Sequence, residues 1–225
     1  MSLGAVDFLM PVSISISNTA SAQNAVDATN FTFSTQALGA AHTQRKIAVA
    51  VVSNSSTGGR TISSVTVGGV SATSIISADG GSTNTRMTAI YLASVPTGTT
   101  GDAVVSHSGS MTSCAISLYR LIGASSTVHD TGSDITESGN ALSDTINVVS
   151  QGVLIACVNW EGSAGARTTT WTGPTEDVDT TIEGNFTYSS ASKLYLTTQT
   201  GITITATASG TLAEAALAIA SFKPS

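Results

Sequence analysis

Hydrophobic and polar residues alternate along this chain in short runs. Residues Val12–Ser17 (VSISIS) alternate strictly, and residues Lys46–Ser53 (KIAVAVVS) are almost all apolar. Strict alternation is typical of a strand with one buried face, and a short apolar run is typical of a strand buried on both faces. Gly, Ser, Asn and Thr separate the runs, as expected for turns. The pattern therefore predicts an all-β protein built of antiparallel strands.

The order of these runs occurs twice. Residues 46–73 and 152–179 each contain an apolar run, a Gly/Ser-rich loop ending in arginine, a Thr-rich run and a glycine turn. Residues 88–123 match 192–224 in the same way, with Tyr91 opposite Tyr195. We therefore predict an internal duplication with an offset of about 105 residues. The last run, Leu212–Phe222, contains good helix formers, but its match to a strand-like run predicts a strand.

The predicted fold is a jelly-roll-like antiparallel β-sandwich over residues 12–225. Its two pseudo-repeats span about 28–123 and 142–225, and a polar connection over 124–141 joins them. We favour one large sandwich with a shared core because a small half-chain core would be marginal. Two closely packed tandem lobes are the alternative.

Two glycines, Gly68 and Gly69, lie between the alternating runs Val65–Val67 and Val70–Ala72. Their spacing fits neither a P-loop nor a dinucleotide-binding loop, and another strand follows instead of a helix. A Gly-Gly pair suits a two-residue hairpin turn, which requires positive φ. Gly173 is the counterpart in the second repeat, where Pro174 follows it. We interpret all three glycines as structural turns.

Composition excludes several classes of function. Charged residues make up only 10% of the chain, the net charge is −6, and the basic residues are scattered. Nucleic-acid binders need a basic surface, so no nucleic-acid partner is predicted. No apolar run approaches the roughly 20 residues that span a membrane, and the N-terminus lacks the pattern of a signal peptide. Cys114 and Cys157 lie in apolar runs, which favours buried thiols over a disulfide.

Candidate chemistry is limited to acidic clusters and one tryptophan. Asp130, Asp134 and Glu137 are candidate calcium ligands because carboxylates bind calcium, although the spacing is not that of an EF-hand. Trp171 with Glu176 and Asp177 could contact a glycan, although tryptophan more often anchors a core. No nucleophile elbow or metal-ligand spacing is present. The sequence thus predicts no catalytic residues, no cofactor and no enzyme activity.

Residues 1–11 begin with an apolar segment that Pro11 separates from the first strand. We expect an N-terminal arm that either orders on a partner or packs on its own sandwich. In the first case the contact residues would be Leu3, Phe8, Leu9 and Met10.

Three motifs carry a resemblance to a known group of proteins. They are the hairpin VTVGGVSAT (65–73), the turn PTGTTG (96–101) and the ending FKPS (222–225). Over residues 46–225 the chain resembles β-sandwich virion structural proteins of tailed bacteriophages and prophages. The resemblance transfers no catalytic residues.

That resemblance implies a capsid decoration (cement) protein that binds and stabilises the capsid lattice. It implies other virion proteins as partners, above all the major capsid protein, and a homo-oligomer, for which we expect a trimer. The chain would lie on the virion surface after assembly in the host cytoplasm. The alternative function is a tail-associated adhesin or carbohydrate-binding module that recognises host-surface glycan.

Overall fold

The fold is described from a computed structural model covering residues 13–80 and 85–225. These residues form seventeen strands, and all strand pairs in the sheets are antiparallel. Within the same two ranges, no helix is long and apolar enough to cross a membrane. The all-β prediction is confirmed.

The first half of the chain forms two facing sheets. The five-stranded sheet has the order β1-β9-β3-β7-β6, and the four-stranded sheet has the order β2-β8-β4-β5. The bounds are β1 Ser15–Asn24, β2 Ala28–Ala37, β3 Arg45–Asn54, β4 Ile62–Val67, β5 Val70–Ser71, β6 Thr73–Gly80, β7 Arg86–Ser94, β8 Thr100–Met111 and β9 Ser113–Ile122.

The second half repeats this strand order. Its five-stranded sheet is β10-β17-β12-β15-β14, and its three-stranded sheet is β11-β16-β13, without a counterpart of β5. The bounds are β10 Ala124–Thr136, β11 Ala141–Val148, β12 Gly152–Gly162, β13 Thr169–Thr172, β14 Thr175–Glu183, β15 Phe186–Tyr195, β16 Gln199–Ala208 and β17 Leu212–Pro224. The predicted terminal strand is therefore confirmed.

Three hydrophobic cores hold four sheets together. The first core lies between the sheets of the first half, and the third core lies between the sheets of the second half. The middle core joins the two five-stranded sheets, with Ala48, Ala50, Ala218 and Ala220 among its fully buried residues. Both faces of the central strands are thus buried, which explains the continuous apolar runs.

Small residues bring the two five-stranded sheets close together. At Gly80 in β6, a Cβ atom would lie 2.6 Å from the carbonyl oxygen of Ala215 in β17, so no side chain fits there. Polar groups also cross this seam: Thr88 Oγ1 donates to the Ala216 carbonyl at 3.0 Å, and Asn159 Nδ2 donates to the Ser53 carbonyl at 3.1 Å. Paired polar groups of this kind fix the register between the halves.

A clasp at one end of each sandwich repeats atom for atom. The Ser108 amide donates to the Thr61 carbonyl at 2.9 Å, and the Thr61 amide donates to Ser108 Oγ at 3.0 Å. In the second half, Ser209 and Thr168 form the same two bonds at 2.9 and 3.1 Å. The strand orders and this clasp support the predicted internal duplication, which as a property of the sequence stays a prediction.

The polar segment that follows the first half contains a strand. Residues 124–136 form β10, where the sequence predicts a polar connection over 124–141. The segment is polar because β10 is an edge strand that pairs with β17 through its backbone, which does not require apolar side chains. β1 and β10 hold equivalent places, so the two halves with the same strand order span 15–122 and 124–224. The pseudo-repeats over about 28–123 and 142–225 stay a prediction.

His107 in β8 makes the fold sensitive to acid. Its ring is 4% exposed, lies edge-on to Phe31, and has Nε2 2.9 Å from Ser53 Oγ. Burial lowers the pKa of His107 to about 4, although a backbone hydrogen bond at Thr29 partly opposes this effect. Below pH 6.5 the unfolded chain therefore gains a proton that the folded chain does not.

We expect the free energy of unfolding to fall by roughly 2 kcal/mol between pH 6.5 and 4 through this group. Replacing His107 with glutamine should remove that part of the pH dependence in urea unfolding. His129→Gln, at an exposed position of β10, is the control. An unchanged slope in the His107 variant would show that this ring is not the source.

Candidate functional site

A groove opens on one side of the first half, where the edge strand β6 separates from the β4–β5 hairpin. Its volume is about 460 Å³. The floor consists of Val65, Met87 and Tyr91, which belong to the first core. The wall on β6 is formed by Ser74, Ser77 and Asp79.

The β6 wall follows from strand register. Asp79 lies opposite Met87, Ser77 opposite Ala89, and Ser74 opposite Tyr91. A β-bulge between Ser74 and Ile76 shifts the alternation, so Ser74 and Ser77 face the same side although three positions separate them. All three polar side chains are therefore placed over the edge of the first core.

The glycine pair positions the opposite wall. Gly68 and Gly69 have φ values of 56° and 79° and form the two-residue turn that pairs Val67 with Val70. This turn folds β5 back along β4, which places Ser71 and Ala72 at the groove. Gly173 also has positive φ, at 111°. The glycines thus shape the site without contributing chemistry themselves.

Among residues 13–80 and 85–225, Asp79 is the one charged side chain that lines the groove. Its Oδ1 atom is buried and has no hydrogen-bond partner among residues 13–80 and 85–225. Burial raises the pKa of Asp79. Burial also raises the pKa of Tyr91 on the groove floor. A hydrogen bond with Ser74 partly opposes this effect, and the charge of Asp79 adds to it. The carboxylate that lines the groove therefore includes one buried oxygen that the described residues leave without a hydrogen bond.

Trp171 takes the position in the second half that Val65 takes in the first. Val65 pairs with Val105, three residues before Ser108, and Trp171 pairs with Ala206, three residues before Ser209. The two serines form the matching clasps described above. The indole packs against the third core, and its Nε1 donates to Ser189 Oγ at 2.8 Å.

The second half lacks the acid as well. The Ser55 amide donates to the Thr85 carbonyl, and the Gly162 amide donates to the Asn185 carbonyl, so these loops correspond. Two residues after Thr85 and Asn185 come Met87 and Thr187. Met87 pairs with Asp79 of β6, and Thr187 pairs with Thr181 of β14. Threonine therefore replaces Asp79 there.

Hydrogen bonds also join the two edges in the second half. The carboxylate of Asp179 in β14 accepts from the Thr169 amide at 2.9 Å and from Thr169 Oγ1 at 3.2 Å. With Trp171 packed beside them, these bonds bridge β13 to β14. The first half has the small Val65 and leaves the corresponding space open.

The predicted glycan residues of the second half have other contacts. Asp177 Oδ2 accepts from the Tyr119 hydroxyl of the first half at 3.0 Å. Burial raises the pKa of Asp177, and hydrogen bonds from Ser192 and Tyr119 partly oppose this effect. The pKa of Glu176 is raised mainly by burial and further by the charges of Asp179 and Asp177. Trp171 is half-buried in the third core. A glycan contact at these three residues stays a prediction.

The candidate calcium ligands join two sheet edges. Asp130 and Asp134 of β10 accept backbone amides of Asn147 and Ser143 of β11, both at 2.8 Å. In return, Asp144 of β11 accepts the Ser133 amide of β10 at 2.7 Å. Glu137 is exposed beyond the end of β10.

These carboxylates satisfy amides that two adjacent edge strands would otherwise leave unpaired. Across residues 13–80 and 85–225, no group of three or more His, Cys, Asp or Glu side chains could hold a metal ion. Cys114 and Cys157 are both free and fully buried, as their apolar surroundings in the sequence predict. The proposed arm contacts Leu3, Phe8, Leu9 and Met10 lie outside the described residues.

Asp79→Asn is expected to stabilise the protein at neutral pH. Because the folded-state pKa of Asp79 is raised, ionisation of this carboxyl is penalised in the folded chain. The cost develops as pH rises above the unfolded-state pKa and is complete above the folded-state pKa. The advantage of the asparagine variant at pH 7 should therefore vanish in acid. Urea unfolding at a series of pH values measures it, and a variant destabilised at pH 7 would contradict this account.

Comparison of the chain with protein-family models, curated proteins and solved structures gives no match. Its function is therefore argued from its own geometry.

Proposed function

We propose that this protein is a structural protein of a bacteriophage particle, specifically a capsid decoration protein that binds and stabilises the capsid lattice. The observation that carries the proposal is the double sandwich with a hydrophobic seam between its halves. Tandem domains usually move relative to each other unless a large hydrophobic interface joins them. A protein that cements neighbouring capsid subunits needs such a rigid block.

The repetition within the block supports the same function. The two halves have the same strand order and carry the same clasp near one end of each sandwich. A block with two similar loop sets suits a lattice in which the same subunit recurs at a fixed spacing. Two attachments through one rigid unit would give higher avidity than either alone. The proposal also rests on the resemblance of the hairpin at 65–73 and the turn at 96–101 to those of phage virion proteins.

The partner in this proposal is the major capsid protein, and the protein itself is a homotrimer on the particle surface. The arm over residues 1–11 would contribute Leu3, Phe8, Leu9 and Met10 to the capsid contact. Addition of purified protein to particles that lack it should restore binding. A variant without residues 1–11 should bind more weakly if the arm takes part.

The copy number in purified particles tests the function. Quantitative mass spectrometry should find this chain at a copy number comparable to that of the major capsid protein, with a tail-tube protein as internal standard. A few copies per particle would instead place the chain at the tail, and absence from the particle would overturn the proposal. Light scattering of the purified protein tests the trimer.

A further inference from the structure

We propose that the groove between β6 and the β4–β5 hairpin is a saccharide-binding site in which Asp79 accepts a hydrogen bond from a sugar hydroxyl. The inference does not depend on the location of the protein in a phage particle. It concerns a different surface from the one around Trp171, Glu176 and Asp177.

The need of Asp79 for a donor is the first argument. A buried acceptor without a partner costs free energy, and it persists in folded proteins where a ligand or function requires it. Asp79 Oδ1 is such an atom, and no Lys, Arg or His among the described residues lines the groove to neutralise the carboxylate. The Asp79 side chain is half-buried and lines the groove, so a ligand hydroxyl there can donate a charge-assisted hydrogen bond to its carboxylate.

The composition of the walls is the second argument. Serine hydroxyls from both walls, including Ser71, Ser74 and Ser77, can each donate and accept, as sugar hydroxyls do. Val65, Met87 and Ala72 supply an apolar surface for the C–H face of a sugar ring. The volume of about 460 Å³ lies within the range of small-ligand sites, roughly 300–1,000 Å³.

The chemistry argues against a metal ion. One carboxylate is too few, because calcium takes about six to eight oxygen ligands and prefers several carboxylates among them. A basic side chain of a partner protein could pair with Asp79, but it would leave the hydroxyls of both walls without a matching group. A neutral ligand with many hydroxyls uses all of these features at once.

The difference between the halves is the third argument. The same fold occurs twice, and in the second half Trp171 fills the corresponding position while Asp179 bridges the edges to Thr169. The chain can therefore close this region with ordinary packing and hydrogen bonds. In the first half it has Val65 and a poorly solvated acid instead, which costs stability. Sites that sacrifice stability in this way are often functional.

Saturation-transfer difference NMR against single sugars tests the proposal, with glucose, galactose, mannose, rhamnose and N-acetylglucosamine as probes. Chemical-shift mapping of the sugar that binds should place it at residues of β4, β5 and β6 rather than around Trp171. Asp79→Asn should weaken binding about tenfold or more, since a hydrogen bond to a charged group contributes about 1.5–3 kcal/mol. Val65→Trp, which copies the second half, should abolish binding.

The control is Glu137→Gln, which removes the same charge at an exposed position outside the groove and should leave affinity unchanged. If Val65→Trp fails to fold, Asp79→Asn and the mapped shifts still decide the question. Lack of binding by all five sugars at millimolar concentration would overturn the proposal. Binding of Nα-acetyl-lysine amide, which keeps its side-chain ammonium, or of methylguanidinium at Asp79, with no binding of any sugar, would overturn the proposal in favour of a basic segment of a partner protein.

Discussion

Arg86→Met is expected to lower the free energy of unfolding by about 3–5 kcal/mol, because it leaves two largely buried glutamates without their cation. Arg86 in β7 forms an ion pair with Glu161 of β12, and its Nε lies 3.8 Å from Glu214 Oε2 of β17. The guanidinium is also 4.2 Å from the ring centroid of Phe186. One residue of the first half thus joins three strands of the second half.

Two comparisons separate the ion pair from general packing. The triple variant Arg86→Met, Glu161→Gln, Glu214→Gln should recover part of the loss, because it also removes the two negative charges that Arg86 balances. Arg167→Met is the control, since the guanidinium of this partly exposed arginine donates to backbone carbonyls and forms no ion pair among the described residues. Chemical unfolding measures all three variants. A loss below about 1 kcal/mol for Arg86→Met would show that the seam does not depend on this contact.

Arg45→Met is expected to cost about 3 kcal/mol or more for a different reason. Arg45 is 1% exposed and donates to five backbone carbonyls. Three of them belong to the loop after β7, at Val95, Thr97 and Gly98, with distances of 2.6, 2.6 and 2.8 Å. The other two belong to the loop after β2, at Leu38 and Gly39, with distances of 3.3 and 2.7 Å.

Burial lowers the pKa of Arg45, and the charge of Arg120 lowers it further. The charged guanidinium is therefore stabilised by the dipoles of the carbonyl groups that accept its hydrogen bonds. Arg45→Lys should recover only part of the stability, because one ammonium cannot reach both loops as the guanidinium fork does. Lys46→Met is the neighbouring control, since the ammonium group of Lys46 donates one hydrogen bond among the described residues, to the Ala124 carbonyl at 2.8 Å. Equal losses for Arg45→Met and Lys46→Met would contradict this role.

The alternation of apolar residues was sufficient to predict the strands, but it could not predict every boundary. Residues 47–52 are apolar throughout because β3 contacts a core on each face, and the sequence shows this directly. Residues 124–136 are polar because β10 lies at a sheet edge, where pairing depends on the backbone. Composition alone does not separate such a strand from a loop.

The groove could not be predicted because it depends on register. The sequence pattern places Tyr91 opposite Tyr195, but strand pairing gives Ala191 as the counterpart of Tyr91. Tyr91 pairs with Val49 of β3, and Ala191 pairs with Ala156 at the equivalent position of β12. Asp79 stands alone in the sequence and resembles any surface acid, so only the fold reveals its buried oxygen.

The account depends on the two sandwiches forming one rigid block, and differential scanning calorimetry of the full chain tests this most directly. The middle core and the Arg86 contacts predict a single transition in which the calorimetric and van't Hoff enthalpies agree. Arg86→Met should lower the temperature of that transition as a whole. Two resolved transitions in the wild-type protein, one for each half, would contradict the account.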